Sequence, residues 1–320
     1  MNKAVLRGQV STIDPVEVLS GLSGLAFAKA HATGNDFVLL ADPRNDFDPS
    51  PEQVAAICDR HRGVGGDGLI RAVPSSAIEE GRDLLLGDPS AYWFMDYRNA
   101  DGSLSEMCGN GVRAFVHFLV TEGFVELPAG ASLSIATRAG IKTVTRSVNG
   151  YAVGMGPWAF AFPAEALAND RDSVVDAEGL KAPLPGLSID MGNPHTVVTV
   201  ATAGQLAGLG LVRSPRVDPL PAAGTNVEFV LRAEPLVHDG IGEISMRVHE
   251  RGVGETLSCG TGACAAALAT RHWAGDAGIG EWNVAVPGGV VKVRFTVDSA
   301  GDEQVELSGP AVMTGRGVLA

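Results

Sequence analysis

The sequence predicts an α+β fold of two similar domains related by a pseudo-twofold axis, and three observations predict it. Short β-type runs far outnumber helical ones. Two helices open with the same Cys-Gly-x-Gly signature, at Cys108 and Cys259, 151 positions apart in a chain of 320. Each copy also follows a β-type segment through a loop containing glycine and an acid, a self-similarity over about half the chain that marks a duplicated unit.

Taken in order, residues 1–24 read as an N-terminal extension: Lys3 and Arg7 precede a stretch interrupted by Asp14, Pro15 and Glu17, so no signal-peptide core can be drawn. The first domain is placed at 25–154 and the second at 155–309, with 310–320 returning to the first. β-type runs occur at 37–40, 93–97, 133–137 and 142–147, and then at 187–190, 196–200, 226–231, 244–249, 284–286, 290–297 and 304–307. A helix is signalled by Ser50 as N-cap, Pro51 at the first position and Gln53 at the third, with Val54, Ile57 and Cys58 on one face. Cys58 is thereby a core residue. The two signature helices run from Val112 and from Ala263, and Cys264 inside the second is read as packing.

Composition narrows the function. With 24 basic against 37 acidic residues the net charge is −13, which repels phosphate backbones and anionic membranes. No apolar run reaches the ~18 residues of a membrane span. Four cysteines without paired CxxC knuckles fit free thiols in a reducing compartment, the cytoplasm. The 41 glycines predict tight turns and close backbone approaches.

A thiol at a helix N-terminus lies among unpaired N–H groups and the positive end of the helix dipole, which favours its thiolate. The same N–H groups suit a carboxylate. Two such helix starts set face to face make a cleft that holds one carboxylate with a thiol on each side. That geometry matches inversion at an amino-acid α-carbon: one thiolate removes the α-proton and the opposite thiol protonates the other face. No cofactor is called for. Facing thiols could also close to bridging distance, and a Cys108–Cys259 disulfide would disable both bases.

From about Leu25 almost to the C-terminus the chain resembles the bacterial diaminopimelate epimerase family. The blocks are Thr33-Gly34-Asn35-Asp36-Phe37, residues 59–68 with their glycine run, Asn99-Ala100-Asp101-Gly102-Ser103, Met107-Cys108-Gly109-Asn110-Gly111, Met191-Gly192-Asn193-Pro194-His195, Asn226-Val227-Glu228, residues 250–256, Cys259-Gly260-Thr261-Gly262-Ala263 and Pro287-Gly288-Gly289. The resemblance implies that each domain is a mostly antiparallel, barrel-like sheet around a central helix, with the active site in the cleft between them. It implies Cys108 and Cys259 as the acid/base thiols of a pyridoxal-independent epimerase acting on diaminopimelate, in lysine and peptidoglycan precursor synthesis. Gly109, Asn110, Gly260 and Thr261 would hold the reacting carboxylate. Asn35, Asn99, Asn193, Asn226 and Arg251 would bind the two amino-acid ends, with Arg251 suited to a bidentate grip on the distal carboxylate. His195 and Glu250 match positions important for activity, whether by orienting the thiols or by holding the α-amino group, and Glu250 is also a substrate-binding position. A homodimer is implied too. Two departures stand out: Gly68, also a substrate-site position, replaces the Gln often found there, and Gly315 stands where a dimer-interface Tyr is common.

Other readings are weaker. Residues 63–68 fit GxGxxG but follow a helix, so the dinucleotide-binding context fails. Zinc ligation by Cys108, Cys259, His195 and Glu250 lacks structural-site spacing. A proline racemase-like isomerase shares the two-thiol logic, but the block around Asn226 and Arg251 favours diaminopimelate.

Overall fold

The computed structural model describes residues 18–275 and 278–320. Of the expected extension, residues 1–17 lie outside the described residues. Leu22 at its end is buried against Val38, Leu40, Val54 and Ile57.

The first repeat contains β1 (Ala26–Ala32), β2 (Asn35–Ala41), β3 (Gly68–Pro74), β4 (Trp93–Asn99), β5 (Ser132–Thr137), β6 (Gly140–Ser147) and β7 (Gly150–Gly156). Helix α1 (Pro51–Cys58) connects β2 to β3, α2 (Glu79–Gly87) precedes β4, and α3 (Gly109–Thr121) connects β4 to β5. After the short β8 (Ala159–Phe160), α4 (Pro163–Asn169) and β9 (Ser173–Asp176), the second repeat begins with β10 (Leu184–Asp190) and β11 (Pro194–Val200). It continues through α5 (Ala203–Ala207), β12 (Arg216–Asp218), β13 (Asn226–His238), β14 (Ile241–Glu250), β15 (Gly254–Thr256), α6 (Gly260–Ala274), β16 (Glu281–Val286), β17 (Gly289–Val297) and β18 (Glu303–Gly309), and the last strand is β19 (Val312–Val318).

The duplication is written in the strand pairing. From β1 to β7, skipping none, successive pairs are antiparallel, parallel, antiparallel, parallel, antiparallel and antiparallel. The series β10, β11, β13, β14, β16, β17, β18 repeats that order step for step. The final strands of the two series, β7 and β18, pair antiparallel. Each series then sends one strand across: β8 pairs with β10 and β19 with β1. Both parallel steps of each repeat need a crossover, and both are helical, as parallel pairing requires.

α3 fills the first curved sheet, touching β1, β2, β3, β4, β6, β7 and β19, and α6 fills the second, touching β10, β11, β13, β14, β16, β17 and β18. A helix enclosed on all sides must be apolar all round. Val112, Ala114, Phe115, Val116 and Leu119 of α3 are buried accordingly, as are Ala263, Cys264, Ala265, Ala266, Ala267 and Ala269 of α6. The alanines let the surrounding strands close on the second helix.

The capping box expected on α1 is formed: Gln53 N donates to Ser50 Oγ at 3.3 Å and Ser50 N to Gln53 Oε1 at 2.9 Å. Cys58 is buried on its inner face and Cys264 within α6. Strands β1, β3, β7, β8, β9, β12, β15 and β19 and helices α2, α4 and α5 were not among the sequence expectations. β3 is buried at every position, so it lacks the alternation that betrays a strand. β7 and β19 are rich in glycine, which weakens the local strand signal.

Candidate active site

The two signature cysteines are the N-caps of the two central helices, both in extended conformation, with φ −136° at Cys108 and −117° at Cys259. The helices meet at their first residues: a Cβ on Gly260 would lie 3.6 Å from Gly109 Cα and 3.7 Å from Asn110 Oδ1. Both helix dipoles therefore end in one place, as the sequence reading requires.

The predicted residues fall into pairs related by the repeat. Asn35 opens β2 beside Cys108, and Asn193 precedes β11 beside Thr261. Phe37 pairs with Gly68 in the first repeat and His195 with Asn226 in the second, so Gly68 and Asn226 hold equivalent positions. Gly68 lies opposite Asn99. The Val227–His249 register, continued by one residue, sets Asn226 opposite Glu250, making Asn99 and Glu250 counterparts. Asn110 and Thr261 each stand two residues after their cysteine.

Around Cys108, the thiol donates to Asn35 Oδ1 at 3.5 Å. Asn35 is held in turn by Asp67, whose carboxylate accepts from Asn35 Nδ2 at 2.6 Å and is gripped by Arg60 at 2.7 Å. Asn110 Nδ2 donates to Asn35 Oδ1 at 3.4 Å and to the Ser258 carbonyl at 3.0 Å, which ties the first helix start to the second. Ser258 Oγ and Thr33 Oγ1 lie 3.0 Å apart. Thr33 and Gly34 form the two-residue β1–β2 turn with φ of +49° and +86°. Positive φ at a β-branched residue is strained and persists only where the surroundings hold it.

Around Cys259, Thr261 Oγ1 lies 3.6 Å from Sγ and accepts from Asn193 Nδ2 at 3.4 Å. Asn193 Oδ1 lies 3.0 Å from His195 Nε2, and His195 Nδ1 lies 2.7 Å from Glu228 Oε1. His195 and Glu228 are fully buried, and both imidazole nitrogens are engaged, neither by a thiol. Glu250 accepts from Thr256 Oγ1, contacts Cys259, and has its pKa raised by burial.

Burial pushes the Cys108 thiol up to about 11, opposed by the Asn110 and Gly111 amides and by Arg113. Cys259 is pushed well above the usual thiol range by burial, then by Glu250 and Glu228. The helix ends thus moderate but do not overcome the cost of ionising a buried thiol.

Two expected residues stand apart from the thiols. Asn99 donates to Ser103 Oγ at 3.0 Å within its own turn. Arg251 is exposed, with its guanidinium on the Ala223 carbonyl and its backbone N–H on Asn226 Oδ1 at 2.9 Å. At Gly68 there is no room for a side chain, because a Cβ would lie 2.6 Å from the Tyr97 ring. Asp67, Tyr97, Arg113, Glu228, Thr33 and Ser258 were not singled out from sequence. A signal existed for two of them: Glu228 in the apolar run 226–231 and Arg113 in the apolar run 112–119 are charges where a core is being built.

The family model for diaminopimelate epimerase matches residues 27–161 and 187–314. The diaminopimelate epimerase of Streptomyces coelicolor is 42% identical over 299 residues, covering 92% of this chain and 94% of that one. That of Rhodococcus jostii is 41% identical over 301 residues, covering 92% and 96%. Among solved structures, a phenazine biosynthesis protein of the PhzF family from Bacillus anthracis superposes with a TM-score of 0.60 at 19% identity, covering 92% and 99%. A hydroxyproline epimerase from Agrobacterium vitis gives 0.58 at 13% identity, covering 92% of each chain. These two likenesses show the fold, one of two repeated domains.

Proposed function

Since the chain belongs to the diaminopimelate epimerase family, we propose that it interconverts LL- and meso-2,6-diaminopimelate with Cys108 and Cys259 as opposed acid and base. The observation that carries the mechanism is the meeting of two cysteine-capped helix N-termini at Gly109 and Gly260. One sulfur, as thiolate, takes the α-proton. The C–H electron pair moves into the α-carboxylate, whose added charge falls on the amides of residues 109–111 and 260–262. The other thiol gives its proton to the opposite face, so the configuration inverts and the two sulfurs exchange protonation states. Fixed donors aimed at developing charge are worth about 10²–10³ in rate each.

The remaining residues have matching tasks. Asn35 and Asn193 flank the two thiols as pseudo-equivalent amides, able to accept from an ammonium and donate to a carboxylate. Arg251, exposed and with its guanidinium on the Ala223 carbonyl, is placed to leave it for the distal carboxylate of the substrate. Glu250, in contact with Cys259, is the acid assigned to the α-amino group, and His195 with Glu228 fixes Asn193. Gly68 contributes space, which the Tyr97 ring occupies, and no side-chain contact. The reaction needs free thiols, and all four cysteines are free, which supports a cytoplasmic enzyme making lysine and cell-wall precursors. In β19, Val312 is 44% and Val318 62% exposed, and among the described residues this strand pairs only with β1. That edge is the surface proposed to meet a second copy in a homodimer.

Purified chain incubated separately with LL-diaminopimelate and L-proline, and resolved by chiral chromatography, tests the substrate. Formation of meso-diaminopimelate alone is expected, and turnover of proline alone would overturn the assignment. Unchanged activity after exhaustive chelation is the expected outcome that separates this reading from a zinc-dependent one.

A further inference from the structure

A side-chain amide can turn either its oxygen or its NH2 to a neighbour, since the two ends are nearly the same size. At Asn35 the surroundings decide which. Asp67, the residue before β3, accepts from Asn35 Nδ2 at 2.6 Å, and a carboxylate only accepts. Asp67 is itself fixed from two sides. Its Oδ2 takes the Asp36 N–H at 3.0 Å while its own N–H goes to the Asp36 carbonyl at 2.8 Å, and Arg60 Nη2 reaches its Oδ1 at 2.7 Å. The NH2 of Asn35 is thereby turned to Asp67 and its Oδ1 to the cleft, where it meets Cys108 Sγ at 3.5 Å and Asn110 Nδ2 at 3.4 Å. Asn110 has no freedom to turn either, because its oxygen accepts from the guanidinium of Arg113, which only donates. The run from Arg60 through Asp67, Asn35 and Asn110 to Arg113 therefore admits one arrangement of donors and acceptors, set by a charged group at each end.

The second repeat holds its counterpart the other way round. Thr225 stands where the first repeat has Asp67, one residue before Asn226, and its hydroxyl lies 3.0 Å from Thr196 Oγ1. Asn193 is held by His195 instead: its Oδ1 lies 3.0 Å from His195 Nε2, and its Nδ2 donates at 3.4 Å to Thr261, the neighbour of Cys259. One amide thus shows its oxygen to a thiol, and the other shows its N–H to the opposite helix start. We propose that Asp67, braced by Arg60, is a positioning residue that fixes Asn35 as an acceptor, so that the Cys108 side of the cleft receives a substrate ammonium N–H and rejects a carboxylate oxygen. The inference rests on the two-thiol, amino-acid reading of the site and deepens it: the duplicated asparagines are not interchangeable, and a substrate carrying both groups has one way to lie at Cys108. The exposed Arg60–Asp67 pair adds little to stability, as surface ion pairs do. What it contributes is the sense of the amide.

Selective ¹⁵N labelling of asparagine side chains reads the amide by NMR in the substrate-free, full-length chain, with the Asn35 signal assigned by its loss in Asn35→Ala. In the wild type one proton of that NH2, bonded to a carboxylate, should resonate downfield of a free amide, and Asp67→Ala should move it upfield. Asp67 is exposed, so the substitution should leave the fold intact. Asp67→Ser, whose hydroxyl cannot span Asn35 and Arg60, should give the same shift and the same kinetics, and serves if Asp67→Ala does not fold. Kinetics then separate positioning from a general effect. Asp67→Ala should lower kcat/KM for LL-diaminopimelate by about 10- to 100-fold, as misplacing a contact group does. In the Asn35→Ala background the same change should cost less than about threefold, because the group it positions is gone. An unmoved Asn35 signal, full activity in Asp67→Ala, or a loss as large in the Asn35→Ala background as in the wild type would overturn the proposal. Failure of the wild-type chain to turn over diaminopimelate would refute the substrate assignment, and the amide signal would then decide this inference alone.

Discussion

Gly262→Ala separates a positioning requirement from a stability requirement. Gly262 is in the first turn of α6, and an added Cβ would lie 2.6 Å from Glu228 Oε1 and 3.2 Å from Cys259 Sγ. Reaching an ordinary contact of 3.4 Å needs a retreat of about 0.8 Å by the carboxylate. Glu228 is fully buried and its Oε1 is fixed 2.7 Å from His195 Nδ1, so it can retreat only by disturbing the His195–Asn193–Thr261 chain, or Cys259 must move instead. Overpacking costs ~1–3 kcal/mol, and alanine regains ~1 kcal/mol of helix propensity over glycine. The net loss, ~0–2 kcal/mol, corresponds to a drop of a few degrees in Tm. Catalysis should suffer more, since a displacement approaching 1 Å costs about 10²-fold. The assay is the initial rate of LL-diaminopimelate epimerisation beside thermal unfolding of the same preparation. Gly204→Ala is the control, because nothing lies nearer than 4.0 Å to its Cβ in the short helix α5. It should keep full activity. Near-wild-type kcat in Gly262→Ala with an unchanged Tm would refute the claim that Glu228 and Cys259 are held at fixed separation.

Cys108→Ala and Cys259→Ala should each abolish epimerisation in a coupled assay, whereas Cys58→Ala and Cys264→Ala should retain turnover and lose only stability, by about 1 kcal/mol or somewhat more as buried groups are deleted. Replacing the fully buried Arg71 by Met strands Asp42 and Asp96, each now 2.9 Å from the guanidinium, and should cost ~3–5 kcal/mol in urea denaturation; a loss below ~1 kcal/mol would mean that the neighbouring Arg98 and Arg138 carry the network. Asp36 has its pKa lowered from 3.8 to about 2: burial opposes its ionisation, but bonds from Arg60 and Lys29 outweigh that. A depressed folded-state pKa contributes stability above the unfolded value, and the contribution is lost as the pH falls from 3.8 toward 2. Denaturation midpoints in that window should fall more steeply for the wild type than for Asp36→Asn, and parallel curves would refute the assignment.

The repeated Cys-Gly-x-Gly signature was legible because glycine and a polar N-cap leave a local mark, and it located both central helices and their meeting point. The capping box at Ser50 was legible for the same reason. What could not be read was the pairing of Gly68 with Asn226 and of Asn99 with Glu250, since these equivalences lie in strand register. Arg113 and Glu228 were passed over as charges inside apolar runs, yet what surrounds each lies across the interior: among the described residues only neutral oxygens for the one, His195 for the other. β3 was missed because burial on both faces removes the period-two pattern.

The opposed thiols are tested most directly by the isotope pattern at early conversion of LL-diaminopimelate in deuterated water. Two separate acid and base groups predict solvent deuterium at the α-carbon of the meso product while the unconverted LL substrate stays protiated. Deuterium appearing equally in recovered substrate and product from the first turnovers, as a single shared base would give, would contradict the account.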